Sequence, residues 1–265
     1  MNQNAYNWDA QQYAKYSCAQ FKWAKELIAK FKLQGDEAVL DIGCGDGKVT
    51  TLIADRLSRG KVLGIDSSLD MITLAKRRQS NYLKHRLKFK QMDVRCLNEK
   101  NRFDVVFSSA ALHWVKRHLQ IINRIQQAMK RNGRLLAQMG GRGNAADIVA
   151  VLDSMIKGHW AQYFLSFSFP YGFHGSEEYS RWLTDAGLMT IRVELIEKDM
   201  LHKGREGFAG WIQTTWLPYL ERIPSELRNT FIYEIIDNYL NTHPMDEDGT
   251  VHVKMIRLEV EAIKP

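Results

Sequence analysis

Cysteine and long apolar runs are scarce in this chain. The three cysteines (Cys18, Cys44 and Cys96) are scattered, with no CxxC pair and no spacing typical of metal ligands. So few cysteines argue against a disulfide framework and fit a reducing compartment. No apolar run approaches the ~20 residues needed to cross a bilayer, and the polar segment 1–9 lacks the apolar core of a secretion signal. We therefore expect a cytoplasmic protein without a membrane span and without a metal site.

Positive charge is concentrated in one segment of an otherwise ordinary globular composition. The 265 residues are 45% hydrophobic and 25% charged, with a formal net charge of +7. Segment 71–92 contains no acidic residue, and its basic residues are Lys76, Arg77, Arg78, Lys84, Arg86, Lys88 and Lys90. Such a run is usually a solvated helix face, but it can also attract an anionic substrate or an acidic carrier protein. We do not expect a nucleic-acid partner, because aromatic residues are not interleaved with these basic ones.

Short apolar segments alternate with amphipathic ones along much of the chain. The segments that read as strands are 38–42, 61–65, 87–92, 103–107, 134–139, 189–196 and 250–260. Those that read as helices are 48–57, 70–78, 116–130 and most of 207–240. Strands separated by helices of this length indicate βαβ units. We predict an α/β fold of the doubly wound, Rossmann-like kind, with a mostly parallel seven-stranded sheet.

The domain organisation predicted from this pattern is a single domain over residues 1–265. Its core spans about residues 36–140, and residues 1–35 form an N-terminal helical cap. Segments of about 141–187 and 200–245 are rich in aromatic residues or helical, and no linker separates them from the core. We expect them to be insertions that form a helical and aromatic lid.

A glycine turn after the first strand is the main candidate for a ligand site. It reads Asp41-Ile42-Gly43-Cys44-Gly45-Asp46-Gly47 and opens a helix. Glycine permits backbone angles closed to other residues, and without a Cβ it lets a ligand lie against the main chain. The GxGxG spacing departs from the GxGxxG fingerprint that binds a pyrophosphate, which argues against a nicotinamide dehydrogenase.

Two further acids end the second and third strands. Asp66 follows Val62-Leu63-Gly64-Ile65, and Asp93 follows Phe89-Lys90-Gln91-Met92. Ionised carboxylates only accept hydrogen bonds, so Asp66 can accept both hydroxyls of a ribose and Asp93 an adenine amino group. Because parallel strands end at one edge of the sheet, where such folds bind ligands, these acids and the glycine turn predict an adenosine-bearing ligand.

These motifs resemble those of class I S-adenosylmethionine (SAM)-dependent methyltransferases over roughly residues 36–140. The resemblance implies that the cofactor is SAM, with S-adenosylhomocysteine as its product. It implies that Asp41 and the turn of Gly43, Cys44, Gly45, Asp46 and Gly47 hold the methionine end of the cofactor. Asp66 would take the ribose, and Asp93 with Met92 and Val94 the adenine, while Ser108, Ser109 and Ala110 would lie beside the sulfonium. Ser67, Met71 and Tyr13 are further candidates for cofactor binding.

A narrower resemblance points to trans-aconitate methyltransferases and insect juvenile hormone acid methyltransferases. It rests on the segment Ser108-Ser109-Ala110-Ala111-Leu112-His113-Trp114-Val115, on Trp8-Asp9-x-x-x-Tyr13, and on Phe208-x-x-Trp211 with Leu217-Pro218-Tyr219-Leu220. Both groups methylate a carboxylate on a small molecule, which implies the same class of acceptor here. The candidate acceptor-binding residues are His113, Trp114, Arg142, Trp160, Tyr163, Trp211 and Trp216.

The identity of the methyl acceptor stays open at this point. A carboxylate is ionised at neutral pH and needs no base, whereas a hydroxyl or carbon acceptor would need one, for which His113 is the first candidate. Alternatives are an acyl group on a carrier protein, as in the methyl-ester-forming enzymes of the biotin pathway, RNA, or a protein that binds the cofactor without turnover.

Overall fold

The computed structural model describes residues 10–265, without the side chains of residues 13 and 14. Its seven strands form one sheet in the order β3-β2-β1-β4-β5-β7-β6. They span Ala38–Ile42 (β1), Lys61–Asp66 (β2), Leu87–Gln91 (β3), Phe103–Ser109 (β4), Met129–Gly140 (β5), Met189–Lys203 (β6) and Thr250–Ile263 (β7). The predicted fold class is confirmed, since β1 to β5 pair in parallel and β7 runs antiparallel between β5 and β6.

Strands β1 and β4 are parallel neighbours at the centre of the sheet, and successive strands are added in opposite directions on either side of them. Val39 of β1 lies opposite Val62 on one side and Val105 on the other. From β1 the chain leads outward to β2 and β3, and then returns to β4 on the other side. A crevice opens at such a switch point, beyond the carboxyl ends of the strands.

Helices lie between and around these strands. They span Ala10–Tyr16 (α1), Cys18–Ala29 (α2), Lys48–Asp55 (α3), Leu69–Arg78 (α4), His118–Ala128 (α5), Ala146–Lys157 (α6), Ser176–Asp185 (α7), Gly204–Thr215 (α8), Leu217–Leu220 (α9) and Arg228–Leu240 (α10). Helix α4 begins where Ser68 Oγ accepts a hydrogen bond from the backbone N–H of Met71. Helix α5 ends earlier than the predicted Lys130, because Met129 is already extended and pairs with Phe103.

Two apolar clusters cover the two faces of the sheet. Alternate residues of β1 divide between them, since Leu40 and Ile42 join one cluster and Val39 the other. Helix α7 contributes Tyr179 and Leu183 to the cluster on the α5 side. This helix falls within the segment 141–187 that we expected to be a lid, so this part of the segment packs in the core of the sheet instead.

The aromatic residues of the remaining expected lid form a third apolar cluster. It is built by α6, α8 and α10 on the outer parts of β6 and β7, and its large members are Trp160, Phe164, Trp211, Trp216, Tyr219, Phe231 and Tyr239. The last pair of β5 with β7 is Gly140 with Arg257, so residues 250–256 extend beyond β5 and carry this cluster. We call it the aromatic core.

Charge is buried where β7 crosses the sheet. Glu259 is 1% exposed and accepts hydrogen bonds from Lys30 (2.6 Å), Arg192 (2.6 Å) and Gln138 (2.9 Å). Three donors satisfy a carboxylate that would otherwise be costly to bury. Among residues 10–265, no helix combines the length and apolar character that a bilayer span requires.

Candidate functional site

Three cavities meet at Ala110, just after β4. We call them the main cleft (about 550 Å³), the inner cavity (about 40 Å³) and the loop cavity (about 50 Å³), and Ala110 lines all three. Ala110 adopts a positive φ of 56°, and its N–H donates to the carbonyl of Gln138. A non-glycine residue held in the left-handed region is uncommon and often marks a functional position.

The glycine turn lies against the main cleft and the loop cavity. Gly43 and Gly45 line both, with φ of 72° and 52°. An added Cβ at Gly45 would meet no atom within 4 Å, so open space adjoins the main chain, as a ligand held by bare backbone requires. An added Cβ at Gly47 would lie 2.7 Å from Phe89 Cζ instead. Gly47 therefore allows the turn to pack on β3 and is not among the residues that line the three cavities.

Asp66 holds the glycine turn in place as well as facing the main cleft. One carboxylate oxygen accepts the N–H of Gly45 at 3.0 Å, and the other accepts the N–H of Ser68 at 2.9 Å. Each oxygen keeps further accepting capacity, so both remain able to bind a ribose hydroxyl. Burial raises the pKa of Asp66, and the two backbone donors oppose that rise.

Asp41 is buried at the loop cavity. Its carboxylate accepts a hydrogen bond from Thr50 Oγ1 at 2.7 Å. Burial raises the pKa of Asp41 to about 7, against the lowering effect of the Thr50 hydrogen bond, and the charge of Asp66 adds to the rise. Its protonation state therefore changes near neutral pH.

Six of the expected cofactor-binding residues line the main cleft at and after the ends of β2 and β3. They are Asp66, Ser67, Met71, Met92, Asp93 and Val94. Asp93 also ion-pairs with Arg95, whose hydrogen bonds and charge lower the pKa of Asp93 although burial acts in the opposite direction. An adenine amino group would therefore share this carboxylate with Arg95.

The other expected cofactor residues fall into different places. Cys44 and Asp46 line the loop cavity, and Ser109 lines both the loop cavity and the main cleft. Asp46 also ion-pairs with Arg78 and Lys48, which ties the turn to α3 and α4. Ser108 is fully buried and donates its hydroxyl hydrogen bond to the carbonyl of Ile42, so its role is to join β4 to β1.

Three residues of the narrower resemblance lie outside the described part of the molecule. Trp8 and Asp9 precede the first described residue, and the side chain of Tyr13 on α1 is not described either. The expectation that Tyr13 binds the cofactor stays a prediction.

The inner cavity brings together four of the expected acceptor residues. His113, Trp114, Trp211 and Trp216 line it, although Trp211 and Trp216 are five positions apart on and after α8. Both indoles also belong to the aromatic core, so each combines a packing role with a position on the cavity wall.

Gln20, Asn144 and Arg257 are among the polar residues of the same wall that sequence reasoning missed. The buried oxygens Gln20 Oε1 and Asn144 Oδ1 have no hydrogen-bond partner among the described residues. Arg257 is 3% exposed. The sequence did contain a signal for Arg257. The buried residues Val251, Val253 and Met255 of β7 alternate along the strand, and Arg257 is the next position on the same side. A charged residue at such an inward position indicates a ligand site or a buried ion pair.

His113 is buried and already engaged through its ring. Its Nδ1 lies 3.4 Å from the backbone N of Gly140, which donates to it. Burial lowers the pKa of His113 well below its ordinary value, and the charge of Arg257 and the neighbouring His118 lower it further. The imidazole is therefore neutral, and with Nδ1 accepting, the proton resides on Nε2.

The other three expected acceptor residues, Arg142, Trp160 and Tyr163, do not line these three cavities. Arg142 has a side chain 68% exposed and pairs with Glu178 at 3.1 Å, because the turn after β5 directs it outward. Trp160 donates its Nε1–H to Glu234 at 2.9 Å, and it packs with Tyr163 in the aromatic core.

The basic segment 71–92 has largely structural explanations. Arg78 pairs with Asp46, and Arg86 donates to the backbone of the segment after α3. Lys88 and Lys90 are exposed on β3, which is an edge strand. Charged side chains on an edge strand discourage pairing with another chain.

Comparison with known proteins places this geometry in a family. Residues 33–187 match the model of the methyltransferase domain family. The chain is 28% identical to trans-aconitate 2-methyltransferase of Methylobacterium nodulans, over 95% of this chain and 96% of that protein. The homologous enzyme of Rhizobium etli is 27% identical, over 97% and 99% of the two chains.

Solved structures share the fold at lower identity. Geranyl diphosphate C-methyltransferase of Streptomyces coelicolor, in complex with Mg²⁺, geranyl diphosphate and S-adenosylhomocysteine, has a TM-score of 0.57 at 15% identity, over 96% of this chain and 82% of that one. Phosphoethanolamine N-methyltransferase 2 of Haemonchus contortus has a TM-score of 0.61 at 18% identity, over 97% and 57%. The family match, the glycine turn and the acids at the strand ends agree: the chain belongs to the methyltransferase domain family and is a class I SAM-dependent methyltransferase.

Proposed function

We propose that this enzyme transfers the methyl group of SAM to a carboxylate oxygen of a small molecule. The observation that carries the proposal is the described lining of the inner cavity, which combines a buried guanidinium with no described residue placed to act as a base. Such a site suits a nucleophile that arrives already ionised.

The meeting point of the three cavities supports transfer at Ala110. The main cleft and the loop cavity share Gly43, Gly45, Ser109 and Ala110. If the nucleoside were held in the main cleft and the methionine end in the loop cavity, these residues would hold the part of SAM that carries the sulfonium. The inner cavity reaches the same residue, Ala110, from another side. When bound, SAM supplies an activated methyl group, and the remaining task of the protein is to align an acceptor with it.

The side chains of the inner cavity that could act as bases are already engaged in hydrogen bonds within the protein. His113 is neutral with Nδ1 accepting from Gly140, and Tyr171 donates its hydroxyl to the carbonyl of Thr215 at 2.7 Å. The described lining of this cavity contains no Asp, Glu, Lys or Cys. A carboxylate needs none of these, because the acceptor oxygen bonds to the methyl carbon as the S–C bond breaks, and no proton moves.

The charge and the relatives support the same class of acceptor. The guanidinium of Arg257 favours an anion in a cavity of low dielectric. Two of the similar proteins are named trans-aconitate 2-methyltransferases, and trans-aconitate carries carboxylates.

The test is a panel of acceptors with labelled SAM. Trans-aconitate comes first, followed by other small di- and tricarboxylates, fatty acids, and acyl groups bound to a carrier protein. We expect label in a small molecule as a methyl ester, which alkali releases as methanol. Alkali-stable label, label confined to a carrier-bound acyl group or to RNA, or cofactor binding without turnover would each contradict the proposal.

His113→Gln separates a carboxylate acceptor from one that needs a base. Loss of a general base reduces turnover by about 10²–10⁴-fold, whereas we expect a loss of less than about tenfold here. With cofactor saturating, kcat/KM for the acceptor should be flat between pH 6 and 9. A pH profile that rises with a pKa abolished in His113→Gln would show that His113 acts as a base after all.

A further inference from the structure

We infer that Arg257 of β7, together with the indole N–H groups of Trp211 and Trp216, forms a carboxylate-binding site in the inner cavity. This inference rests on the proposed function, and it names the residues that would select the acceptor. None of the three lies in the segment 36–140 that carries the cofactor motifs.

The two indoles have donors without acceptors. Trp211 is 0% and Trp216 2% exposed, and neither Nε1 has a hydrogen-bond partner among the described residues. Buried polar groups in folded proteins are almost always paired, so an unpaired donor calls for an explanation. Both side chains line the inner cavity, and a ligand there with accepting oxygens supplies the missing partners.

The guanidinium makes the wall of this cavity positive. Arg257 lies opposite Gly140 in the sheet, next to the backbone N–H that binds His113 Nδ1. Its guanidinium carbon lies 5.4 Å from the centroid of the Trp23 ring, so the two side chains make a cation–π contact. A planar guanidinium matches the two oxygens of a carboxylate, and a buried cation is favoured by an anion beside it.

The size of the cavity fits a carboxylate better than a bulky group. A water molecule needs about 10–15 Å³ of such space, so a cavity of about 40 Å³ holds roughly three heavy atoms. That is the size of a carboxylate group. The inner cavity and the main cleft share Ala110 and Trp114, so the remainder of the acceptor extends along Trp114 into the larger space.

The donors are held by packing and not by flexible loops. The ring of Trp211 stacks with Phe208 at 5.9 Å between centroids, and Trp216 packs edge-on against Tyr171 at 5.4 Å. Trp211 and Trp216 contact each other at 6.0 Å. Rigid donors lose little entropy when they bind a ligand. The amide oxygens of Gln20 and Asn144 have no hydrogen-bond partner among the described residues, and these amides can turn to present N–H groups to the same anion.

The test is NMR of the protein labelled with ¹⁵N in its tryptophan side chains and saturated with S-adenosylhomocysteine. Acetate is the probe, because it fills the cavity without requiring the natural acceptor, and acetamide is its neutral counterpart at the same ionic strength. Trp211→Phe and Trp216→Phe identify the two indole signals. We expect acetate, and not acetamide, to shift both signals along a saturable curve.

Matched variants isolate the contribution of each group. Arg257→Met should weaken acetate binding by about tenfold or more, and each Trp→Phe change by about threefold to tenfold, as expected for hydrogen bonds to a charged group. Arg142→Met removes an exposed arginine, and Trp160→Phe removes an indole whose N–H is bound to Glu234, so both should leave acetate binding unchanged. Arg257→Lys keeps the positive charge and replaces Arg257→Met if that variant does not fold. The affinity of each variant for S-adenosylhomocysteine shows whether it is folded. Arg257→Lys should weaken acetate binding less than Arg257→Met does.

The outcomes separate this site from the proposed function. Acetate that leaves both signals unmoved, or that binds equally well after Arg257→Met and both Trp→Phe changes, overturns the site, even if the enzyme methylates carboxylates. Saturable acetate binding that depends on these residues supports the site, even if every carboxylate in the activity panel remains unmethylated.

Discussion

The elevated pKa of Asp41 makes the stability of the ligand-free enzyme dependent on pH in a calculable way. In an unfolded chain this carboxyl titrates near 3.8, whereas burial raises its pKa to about 7 in the folded protein. The folded state therefore binds the proton more tightly. The stability that protonated Asp41 contributes is fully present below pH 3.8 and is lost as the pH rises through 7.

Asp41→Asn removes the free-energy cost of ionising a buried carboxyl group, with little change in side-chain shape. The amide oxygen can still accept the hydrogen bond from Thr50, so the variant mimics the protonated acid. At about 1.36 kcal/mol for each pH unit between the two pKa values, ionisation costs about 4 kcal/mol at pH 8 and about 1.5 kcal/mol at pH 5. We expect the variant to be more stable than the wild type by about these amounts.

Urea unfolding of the ligand-free proteins at pH 5, 6, 7 and 8 measures this difference. Asp36→Asn is the matched control, because it makes the same substitution at a carboxylate whose side chain is 60% exposed. Parallel curves for wild type and Asp41→Asn, with no gain at pH 8, would refute the reasoning. We expect the affinity of the wild type for SAM to rise as the pH passes through 7, since Asp41 lines the loop cavity and ionises there. Asp41→Asn should bind SAM more weakly and lose this rise.

Two further substitutions distinguish residues that bind the cofactor from those that shape the turn. Asp66→Ala should weaken SAM binding by about 1.5–3 kcal/mol, measured by calorimetry, because charge-assisted hydrogen bonds are lost and the Gly45 N–H loses its acceptor; unchanged affinity would reject its ribose role. Gly47→Ala should destabilise the fold by about 1–3 kcal/mol in urea unfolding, because its φ is 81° and its Cβ would meet Phe89 and Ala75; a variant as stable as the wild type would show that the turn relaxes freely.

The sequence by itself was sufficient to predict those parts of the structure that depend on the local pattern of apolar, polar and glycine residues. Strand β1 was predicted at its observed bounds, and β2, β3, β4, β7 and the early helices within a few residues, because apolar periodicity records which side of an element is buried. Strand β5 begins five residues before its predicted start at 134, and β6 ends seven residues after its predicted end at 196. Asp66 and Asp93 were placed at the main cleft correctly, since parallel strands end at one edge of a sheet whatever the details of packing. The glycine turn was recognisable because its backbone conformation is almost confined to glycine.

Tertiary structure alone decided which side chains of the later segments share a cavity. Arg142 was among the candidate acceptor-binding residues and Arg257 was not considered, yet Arg142 is exposed and Arg257 lies on the wall of the inner cavity. Nothing in the sequence assigned Trp160 and Trp216 different roles, but Trp160 donates its N–H to Glu234 and Trp216 lines the inner cavity. The physical reason is that β7 is the final strand and inserts antiparallel between β5 and β6. Contacts between residues more than a hundred positions apart leave no periodicity in the chain, so only the folded arrangement reveals them.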